Sequence, residues 1–307
     1  MNTKHAFIDL GTNTFHLLVA DINNNGADIQ FQTNEIVGLG TGGINKNILT
    51  AAAIKRGINT INRFKGEIDK YKVEQIYAFG TSALRNASNS KHFIDLVLAE
   101  TGINIEIIEG DKEAYLIYKG ISAELFVKDF PYLIMDIGGG STEFIIADGQ
   151  DILWKKSFEV GVQRLVSSFY KEDPLADSSI LEILNHLVAV LADLPIAIKA
   201  FKVKTLIGSS GTFTTLQKMF EAQNNLNHVN ELFIPKQNFN EYYQQIISLP
   251  REKRILLSGM SSPRLDLIVM GVCIVKYVLN LTKLDGFYVS GNGLKEGALI
   301  MALKENL

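Results

Sequence analysis

The chain has 307 residues, an apolar fraction of 47% and a net charge of −3. This length favours two domains or one large one, and the near balance of 30 basic and 33 acidic residues excludes a general nucleic-acid coat, which would be basic. The single cysteine, Cys273, excludes a disulfide framework. No signal peptide is predicted, and the longest apolar stretch, Leu265 to Leu281, is interrupted by charges and is typical of a buried helix. We therefore expect a soluble cytoplasmic protein that binds neither nucleic acid nor a membrane.

The first part of the chain predicts three strands followed by alternating helices and strands. The turn Asn23–Gly26 joins the second and third strands, as Asn-Gly turns do. Periodicity and cap residues predict strands at 5–10, 14–22 and 27–36, a helix from the cap Thr50 to about 71, a strand at 74–79, a helix at 88–101, a strand at 103–108, and a helix at 112–124 capped by Asp111. The predicted order is βββαβαβα.

The rest of the chain predicts the same order with additions at its end. The predicted elements are strands at 132–137, 142–148 and 151–159, a helix at 177–200, a strand at 204–208, a helix from about 212, helices at 238–248 and 264–281, a strand at 286–290, and a helix at 294–305. Three strands in a meander followed by alternating helix and strand imply a mixed sheet with helices on its faces.

An internal repeat supports this division into two halves. Residues 7–21 read FIDLGTNTFHLLVAD, and residues 134–148, 127 positions later, read IMDIGGGSTEFIIAD. A weaker match joins 79–82 to 207–210 at an offset of 128. Two matches at nearly one offset indicate two similar domains. We expect domains at 1–120 and 121–307, a final helix within 294–307 that can pack back on the first domain, and a site in the cleft between them.

Three glycine turns carry the chemistry that the sequence predicts. Glycine permits tight turns and close approach of a ligand, and successive backbone N–H groups with hydroxyls bind anions. The predicted phosphate-binding residues are Gly11, Thr12, Asn13, Thr14, Gly138, Gly139, Gly140, Ser141, Thr142, Ser209, Ser210, Gly211 and Thr212. Carboxylates at the strand ends, Asp9, Asp136 and Glu143, suit Mg²⁺. For one such segment alone, an ordinary turn or helix cap remains the alternative; the repetition favours a phosphate site.

Other motifs point away from other kinds of site. Gly38–Gly43 matches G-x-G-x-x-G, but the dinucleotide fingerprint needs a helix that begins within the motif, and the predicted helix begins near Thr50. The five histidines lack the spacing of zinc ligands. Cys273 lies in an apolar helix and is predicted to be a core residue.

At these motifs the chain resembles the exopolyphosphatase/guanosine-pentaphosphate phosphohydrolase (Ppx/GppA) family over nearly its whole length. The matching segments begin at Asp9 (DLGTNTFH), Gly80 (GTSALRNA), Gly110 (GDKEAYLIY), Asp136 (DIGGGSTE), Gly208 (GSSGT), Ser262 (SPRLD) and Gly293 (GLKEG). The resemblance implies an α/β fold of duplicated actin-like (ribonuclease H-type) domains with an interdomain cleft. It also implies hydrolysis of the terminal phosphate of polyphosphate or pppGpp that depends on Mg²⁺, with Mn²⁺ as an alternative metal.

The resemblance also assigns individual roles. Glu113 matches the catalytic glutamate, Arg85 the arginine that contacts phosphate, and Asp136 and Glu143 the acids beside the metal. The expected ligand is polyphosphate or guanosine penta- or tetraphosphate, and a homodimer is left open.

The sequence departs from the family pattern at two places. Lys112 stands where many members have another glutamate, and Val37–Leu39 has glycine where a basic residue is common. The chain is expected to be the short form of the family, without the C-terminal HD-type domain.

Two other functions remain open from the sequence. One is a kinase of the same superfold that uses ATP and a small acceptor, for which Asp95 is the local candidate base, although it lies among apolar residues of a helix. The other is a non-catalytic, nucleotide-dependent scaffold. The sequence does not choose between polyphosphate and pppGpp.

Overall fold

The computed structural model describes residues 3–23, 26–124, 127–149, 151–226 and 232–305. The chain forms two compact units, one of residues 1–123 with 292–307 and one of residues 124–291. Each unit has its own cluster of buried apolar side chains. The last helix therefore belongs to the first unit, whereas the second domain expected from the sequence, 121–307, included it. Part of the predicted turn at Asn23–Gly26 lies outside the described residues.

The first unit carries one mixed sheet. Its elements are β1 (Thr3–Leu10), β2 (Thr14–Asn23), β3 (Gly26–Ile36), α1 (Ala51–Tyr71), β4 (Gln75–Gly80), α2 (Ser82–Asn86), α3 (Ser90–Thr101), β5 (Ile105–Ile107) and α4 (Gly110–Ser122), followed at the end of the chain by the helix at Leu294–Glu305. In the described residues the strand order is β3-β2-β1-β4-β5, with β1, β4 and β5 parallel and β2 and β3 antiparallel to their neighbours.

The second unit repeats this sheet and extends it. Its elements are β6 (Tyr132–Ile137), β7 (Thr142–Ala147), β8 (Ile152–Phe158), α5 (Val162–Phe169), α6 (Asp177–Val190), α7 (Asp193–Phe201), β9 (Thr205–Ser209), α8 (Ser210–Gln223), β10 (Phe233–Pro235), α9 (Lys236–Ser248), α10 (Arg251–Arg254), α11 (Leu267–Thr282) and β11 (Gly286–Val289). The helix at Leu294–Glu305 is α12. Within the described part of the chain the order is β10-β11-β9-β6-β7-β8.

The duplication reaches the level of strand irregularities. In the first unit the register of β2 against β3 shifts between Val19 and Ala20. In the second unit the register of β7 against β8 shifts between Ile146 and Ala147, 127 positions later. A bulge changes the twist of a strand and the direction of its side chains, so the two sheets share a local distortion as well as an order.

Two sequence predictions about helices were wrong. The single helix predicted at 177–200 is two helices, α6 and α7, bent by 65° at the break. Pro195 causes the break, because proline is tolerated only in the first turn of a helix and cannot continue one. Asp111 does not cap α4: the cap is Glu109, and Asp111 lies inside the first turn.

Several other predictions were confirmed. The side-chain oxygen of Thr50 accepts a hydrogen bond from the N–H of Ala53 at the start of α1. Gly102 ends α3 in the left-handed conformation. Cys273 is fully buried in α11, and burial raises the pKa of its thiol to about 12.

None of the described helices is by itself long and apolar enough to cross a membrane. Helices α6 and α7 reach the required length and composition only as a bent pair.

Helix α12 packs closely on α4 through glycines. A Cβ atom added at Gly297 would lie 1.8 Å from the carbonyl oxygen of Leu116, and one added at Gly120 would lie 2.2 Å from that of Gly293. The side chain of Asn292 donates a hydrogen bond to the carbonyl of Gly120 at 3.2 Å. The two backbones therefore touch, and this contact holds the helix that carries Glu113.

We predict that G297A lowers the free energy of unfolding by at least about 1–3 kcal/mol, because a methyl group there collides with backbone that cannot move alone. The matched control is G66A in α1, where an added Cβ meets nothing within 4 Å. Alanine there is expected to be neutral or to stabilise by up to about 1 kcal/mol. Urea unfolding of both variants measures the difference. Equal stability of G297A and the unmodified protein would contradict the close packing.

Candidate active site

The carboxyl ends of three parallel strands bring the first-unit candidates to one edge of the sheet. Leu10 of β1 lies beside Gly80 of β4, which lies beside Ile107 of β5. The N–H of Thr81 bonds to the carbonyl of Leu10 at 3.3 Å, and the N–H of Ile108 bonds to that of Gly80 at 3.0 Å. The segments that follow the strands are the first glycine turn, helix α2 and helix α4. Ligands of α/β sheets bind at such edges.

Arg85 and Glu113 form a buried ion pair at this edge. Nη1 of Arg85 donates to Oε2 of Glu113 at 2.9 Å and to the carbonyl of Ile108 at 3.0 Å. The two side chains are only 10% and 9% exposed. The short helix α2 orients the arginine, since its N–H bonds to the carbonyl of Thr81 at 2.8 Å. The structure thus brings together the two residues to which the sequence assigned catalysis.

Lys112, the neighbour of Glu113, points to other partners. Its Nζ atom lies 2.6 Å from Oε1 of Glu106 and 5.7 Å from the centre of the Phe79 ring. The departure from the family pattern at Lys112 is therefore neutralised locally by Glu106.

The backbone of the first glycine turn is oriented by the segment that follows β3. The carbonyl of Asn13 accepts N–H groups of Val37 and Gly38 at 2.9 Å, and the carbonyl of Thr12 accepts that of Gly40 at 2.9 Å. A carbonyl and the next N–H share one plane and point in opposite directions. The N–H groups that follow these carbonyls, those of residues 13 and 14, therefore point away from that segment.

Thr12 adds a hydroxyl with unused hydrogen-bonding capacity. Its side chain is 3% exposed, and its Oγ1 atom has no hydrogen-bond partner among the described residues. A buried polar atom without a partner costs free energy and is a candidate ligand contact.

The segment Gly38–Gly43 has a structural role beside this turn, because the N–H groups of Gly38 and Gly40 donate to its carbonyls. The next α-helix begins only at Ala51, so the segment lacks the helix that a dinucleotide fingerprint requires.

The second glycine turn has the same construction. The carbonyls of Gly138 and Gly139 accept N–H groups from the first turn of α5 at 2.8 to 3.3 Å, and the carbonyl of Gly140 accepts Nε of Arg164 at 2.7 Å. By the same plane geometry the next N–H groups, those of residues 139–141, point away from α5. Successive N–H groups that point one way form an anion-binding nest.

Two of the predicted metal-side acids lie next to each other in the second sheet. Asp136 and Glu143 are cross-strand partners on β6 and β7 and are 6% and 1% exposed. Oδ1 of Asp136 accepts the hydroxyl of Ser210, and Oε1 of Glu143 accepts that of Ser157, both at 2.6 Å. Carboxylate oxygens are the ligands that Mg²⁺ prefers, and two of them on neighbouring strands are compatible with a divalent cation.

No group of three or more His, Cys, Asp or Glu side chains within metal-binding reach occurs in the described residues. Asp9, the third predicted acid, lies on β1 in the first unit, opposite His16 on β2. Mg²⁺ keeps several waters and commonly uses one or two carboxylates with substrate phosphates, which is compatible with the Asp136–Glu143 pair.

The third glycine turn begins α8 and is joined to the second. Ser210 adopts a left-handed backbone conformation with φ of 71°, which is uncommon outside glycine and is maintained where the surroundings require it. Its hydroxyl donates to Oδ1 of Asp136 at 2.6 Å, near the end of β6, where the second turn begins. Ser209 and Thr212 are buried.

Arg264 lies against this turn, and sequence analysis gave it no role. A Cβ atom added at Gly211 would lie 1.4 Å from Nη1 of Arg264. Burial lowers the pKa of the Arg264 guanidinium, and no described residue forms a hydrogen bond or an ion pair with its side chain. The positive end of α8 and an unpaired guanidinium thus face each other, an arrangement that an anion stabilises.

A second buried arginine holds the segment that carries Arg264. The fully buried side chain of Arg254 donates from Nη1 to the carbonyl of Leu265 at 2.7 Å and from Nη2 to Oδ1 of Asp173 at 2.5 Å. The hydroxyl of Tyr170 donates to Oδ1 of Asp173 and accepts from Nη1 of Arg254, and burial raises the pKa of this hydroxyl to about 12. Arg264 lies in the Ser262–Asp266 motif, which is the sequence signal that could have pointed to it. Arg254 lies in none of the motifs that the sequence analysis found.

Two units with one strand order, one shared bulge and equivalent glycine turns define a protein of the duplicated actin-like α/β class. The model of the Ppx/GppA phosphatase family matches residues 18–306. The chain belongs to this family, whose activity is that of a phosphatase or related hydrolase.

Individual relatives agree with this assignment. The crystal structure of an exopolyphosphatase from Cytophaga hutchinsonii superposes with a TM-score of 0.94 at 37% identity and covers 98% of both chains. A bifunctional 3-dehydroquinate synthase/phosphatase of Fusobacterium nucleatum is 34% identical over 97% of this chain and 46% of its own length. A guanosine-5'-triphosphate,3'-diphosphate pyrophosphatase of Aliivibrio fischeri is 28% identical over 97% of this chain and 59% of its own length. The chain thus spans about half the length of these two curated relatives.

We predict that Arg85 and Glu113 stabilise the first unit as a pair. R85Q removes the guanidinium that contacts a buried carboxylate and is expected to lower the free energy of unfolding by about 3–5 kcal/mol. The double variant R85Q/E113Q should cost less than the sum of the two single variants, because each single variant already loses the contact between the two side chains. Urea unfolding measures the cycle. The control, K91Q, removes one partner of the exposed Lys91–Asp95 pair and should cost less than about 0.5 kcal/mol. Additive losses in the cycle would contradict the prediction.

We predict that Arg264 binds an anion at the start of α8. R264Q should raise the dissociation constant for inorganic tripolyphosphate about tenfold, which corresponds to one charge-assisted hydrogen bond. Calorimetric titration measures this constant. K253Q removes an exposed positive charge from the same unit and should leave it unchanged. Equal weakening by both variants would mean that only the general charge of the unit matters.

Proposed function

We propose that the chain hydrolyses the terminal phosphoanhydride of inorganic polyphosphate or of pppGpp in a reaction that depends on Mg²⁺. The observation that carries this proposal is the buried contact between Arg85 and Glu113 at the sheet edge that also holds the first glycine turn. The family gives the general activity of a phosphatase; the particular bond and the particular side chains are proposed.

Glu113 is the proposed base. Its carboxylate is buried, carries a negative charge balanced by Arg85, and lies in the first turn of α4. Removal of a proton from the attacking water by such a group is general base catalysis. The first turn of a helix and an adjacent guanidinium both favour the ionised form of a carboxylate, so Glu113 is proposed to orient the water and to accept its proton from that form.

Arg85 is the proposed contact to the terminal phosphate. Its Nη1 atom donates to Oε2 of Glu113 and to the carbonyl of Ile108, which fixes the guanidinium beside the carboxylate. A guanidinium is also a preferred donor to phosphate oxygens. This arrangement would bring the attacking water and the reacting phosphorus close together, which accounts for a large share of catalysis in phosphoryl transfer.

The glycine turns are proposed to hold the phosphates that do not react. The N–H groups of residues 13–14 and 139–141, the hydroxyl of Thr12 and the guanidinium of Arg264 are the candidate donors. Asp136 and Glu143 would hold Mg²⁺, which when bound balances charge on the phosphate oxygens.

The relatives support two substrates without separating them. One similar structure is that of an exopolyphosphatase, and one similar curated protein is a guanosine-5'-triphosphate,3'-diphosphate pyrophosphatase. Both substrates end in a phosphate chain. The kinase alternative is less well supported, because its candidate base Asp95 forms an exposed ion pair with Lys91 on α3 at 2.9 Å.

A substrate panel tests the proposal. The protein is assayed with Mg²⁺ and without any acceptor on long-chain polyphosphate, pppGpp, ATP and pyrophosphate, and the specificity constants are compared. We expect phosphate release from polyphosphate, pppGpp or both to exceed that from ATP and pyrophosphate. Phosphate transfer that requires an added acceptor would support the kinase instead, and turnover of none of the four would refute the proposal.

We predict that E113Q lowers kcat by about 10²–10⁴-fold, the usual contribution of a general acid or base. E113D keeps the charge beside Arg85 but withdraws the carboxylate by one methylene, and it should fall between E113Q and the unmodified protein. The control is E109Q, which changes an exposed acid at the cap of the same helix and should leave kcat within about threefold. Circular dichroism at the assay temperature verifies folding. Unchanged turnover in folded E113Q would remove Glu113 from the mechanism.

A further inference from the structure

One carbonyl of the second glycine turn accepts a hydrogen bond from a side chain, whereas the equivalent carbonyl of the first turn accepts hydrogen bonds from backbone N–H groups. In the first unit the carbonyl of Asn13 accepts the N–H groups of Val37 and Gly38. The residue 127 positions later is Gly140, and its carbonyl accepts Nε of Arg164 at 2.7 Å. The guanidinium of Arg164 thus replaces two backbone donors at the equivalent carbonyl.

Arg164 is held on two sides. Its Nη2 atom donates to Oε2 of Glu159 at 2.6 Å, and its backbone N–H donates to the carbonyl of Gly139 at 3.3 Å. The side chain is only 14% exposed, whereas that of Glu159 is 42% exposed. The guanidinium is therefore fixed against the turn and is not a solvated surface group.

The start of α5 leaves little room for the turn to relax. A Cβ atom added at Gly161 would lie 2.5 Å from the carbonyl carbon and oxygen of Gly139. The turn is thus pressed against the helix by close backbone contact on one side and held by Arg164 at its end. Its peptide planes have one available orientation as long as these contacts persist.

We propose that Arg164 is a positioning residue for phosphate binding by the second glycine turn. By accepting Nε of Arg164, the carbonyl of Gly140 directs the N–H of Ser141, which shares its peptide plane, away from α5. Arg164 therefore aims the last donor of the nest without touching the phosphate. This inference rests on the proposed function, because it assumes that a phosphate chain is the ligand of the turn.

The alternative is that Arg164 contributes only its positive charge. The two roles differ in what lysine can replace. Lysine carries the charge, but its ammonium is a single point without the planar fork that joins Gly140 to Glu159. R164K therefore distinguishes orientation from charge, and R164Q removes both.

The experiment measures binding and turnover in the full chain. Calorimetry gives the dissociation constant for inorganic tripolyphosphate, and steady-state assays with polyphosphate give KM and kcat. We expect R164Q and R164K each to raise the dissociation constant and KM about tenfold, the effect of one misplaced donor to a charged ligand, with kcat within about threefold. E159Q should shift the same constants in the same direction by less. R63Q, which changes an exposed arginine of the first unit, is the control and should change neither.

Wild-type values for R164K would overturn the positioning role, and so would a loss of kcat with unchanged KM. If R164Q does not fold, R164K and E159Q decide the question. Failure of the proposed function is recognised separately: the unmodified protein would then neither bind tripolyphosphate nor release phosphate from any compound of the panel. Normal binding by the unmodified protein and by all Arg164 variants would refute this inference alone.

Discussion

The direction of a few peptide planes is the constraint on which the candidate site depends. A backbone N–H is useful to an anion only if the carbonyl in its own peptide plane is satisfied elsewhere, because the two groups point in opposite directions. In both glycine turns a neighbouring segment donates to these carbonyls. The residues after β3 do so in the first unit, and the start of α5 does so in the second. The glycines permit the turns, but the neighbouring segments decide which way the donors point.

Much of the fold could be predicted because its signals are local. Strands β6 and β7 are runs of buried residues joined by one glycine turn. Helix α1 has both a threonine cap and a clear apolar period. The prediction of one helix over 177–200 failed because apolar periodicity continues across the break, while Pro195 interrupts the hydrogen bonds of the backbone. The short helices α2 and α5 offer too few residues to establish a period. The first N–H groups of α5 bond to the carbonyls of Gly138 and Gly139, so the glycine turn supplies the first hydrogen bonds of that helix.

The candidate site also contains residues that the sequence could point to and residues that it could not. The glycine turns and Glu113 lie in motifs that can be read within about ten residues, so they could be proposed from the sequence, Glu113 through the family resemblance. Arg164, Arg254 and Arg264 were given no role because an isolated arginine says nothing about its partner. The carbonyls of Gly140 and Leu265 that two of them contact are 24 and 11 positions away. Burial, and not residue type, distinguishes Arg164 and Arg254, whose side chains are 14% and 0% exposed, from a solvated arginine such as Arg63, whose side chain is 58% exposed.

Duplication followed by specialisation explains why the two units are not equivalent. Both keep the βββαβαβα core, a bulge on the third strand and a tight turn closed by an N–H to the carbonyl three residues later, Gly11 to Thr14 and Gly138 to Ser141. Beyond that core, the first unit places a guanidinium and a carboxylate in direct buried contact, whereas the second places two carboxylates side by side. The proposed roles follow this difference: general base catalysis for the carboxylate beside a guanidinium, and metal binding for the two neighbouring carboxylates. The shared backbone therefore gives both units the same kind of turn, while the buried side chains that each unit adds differ and support the different roles proposed for them.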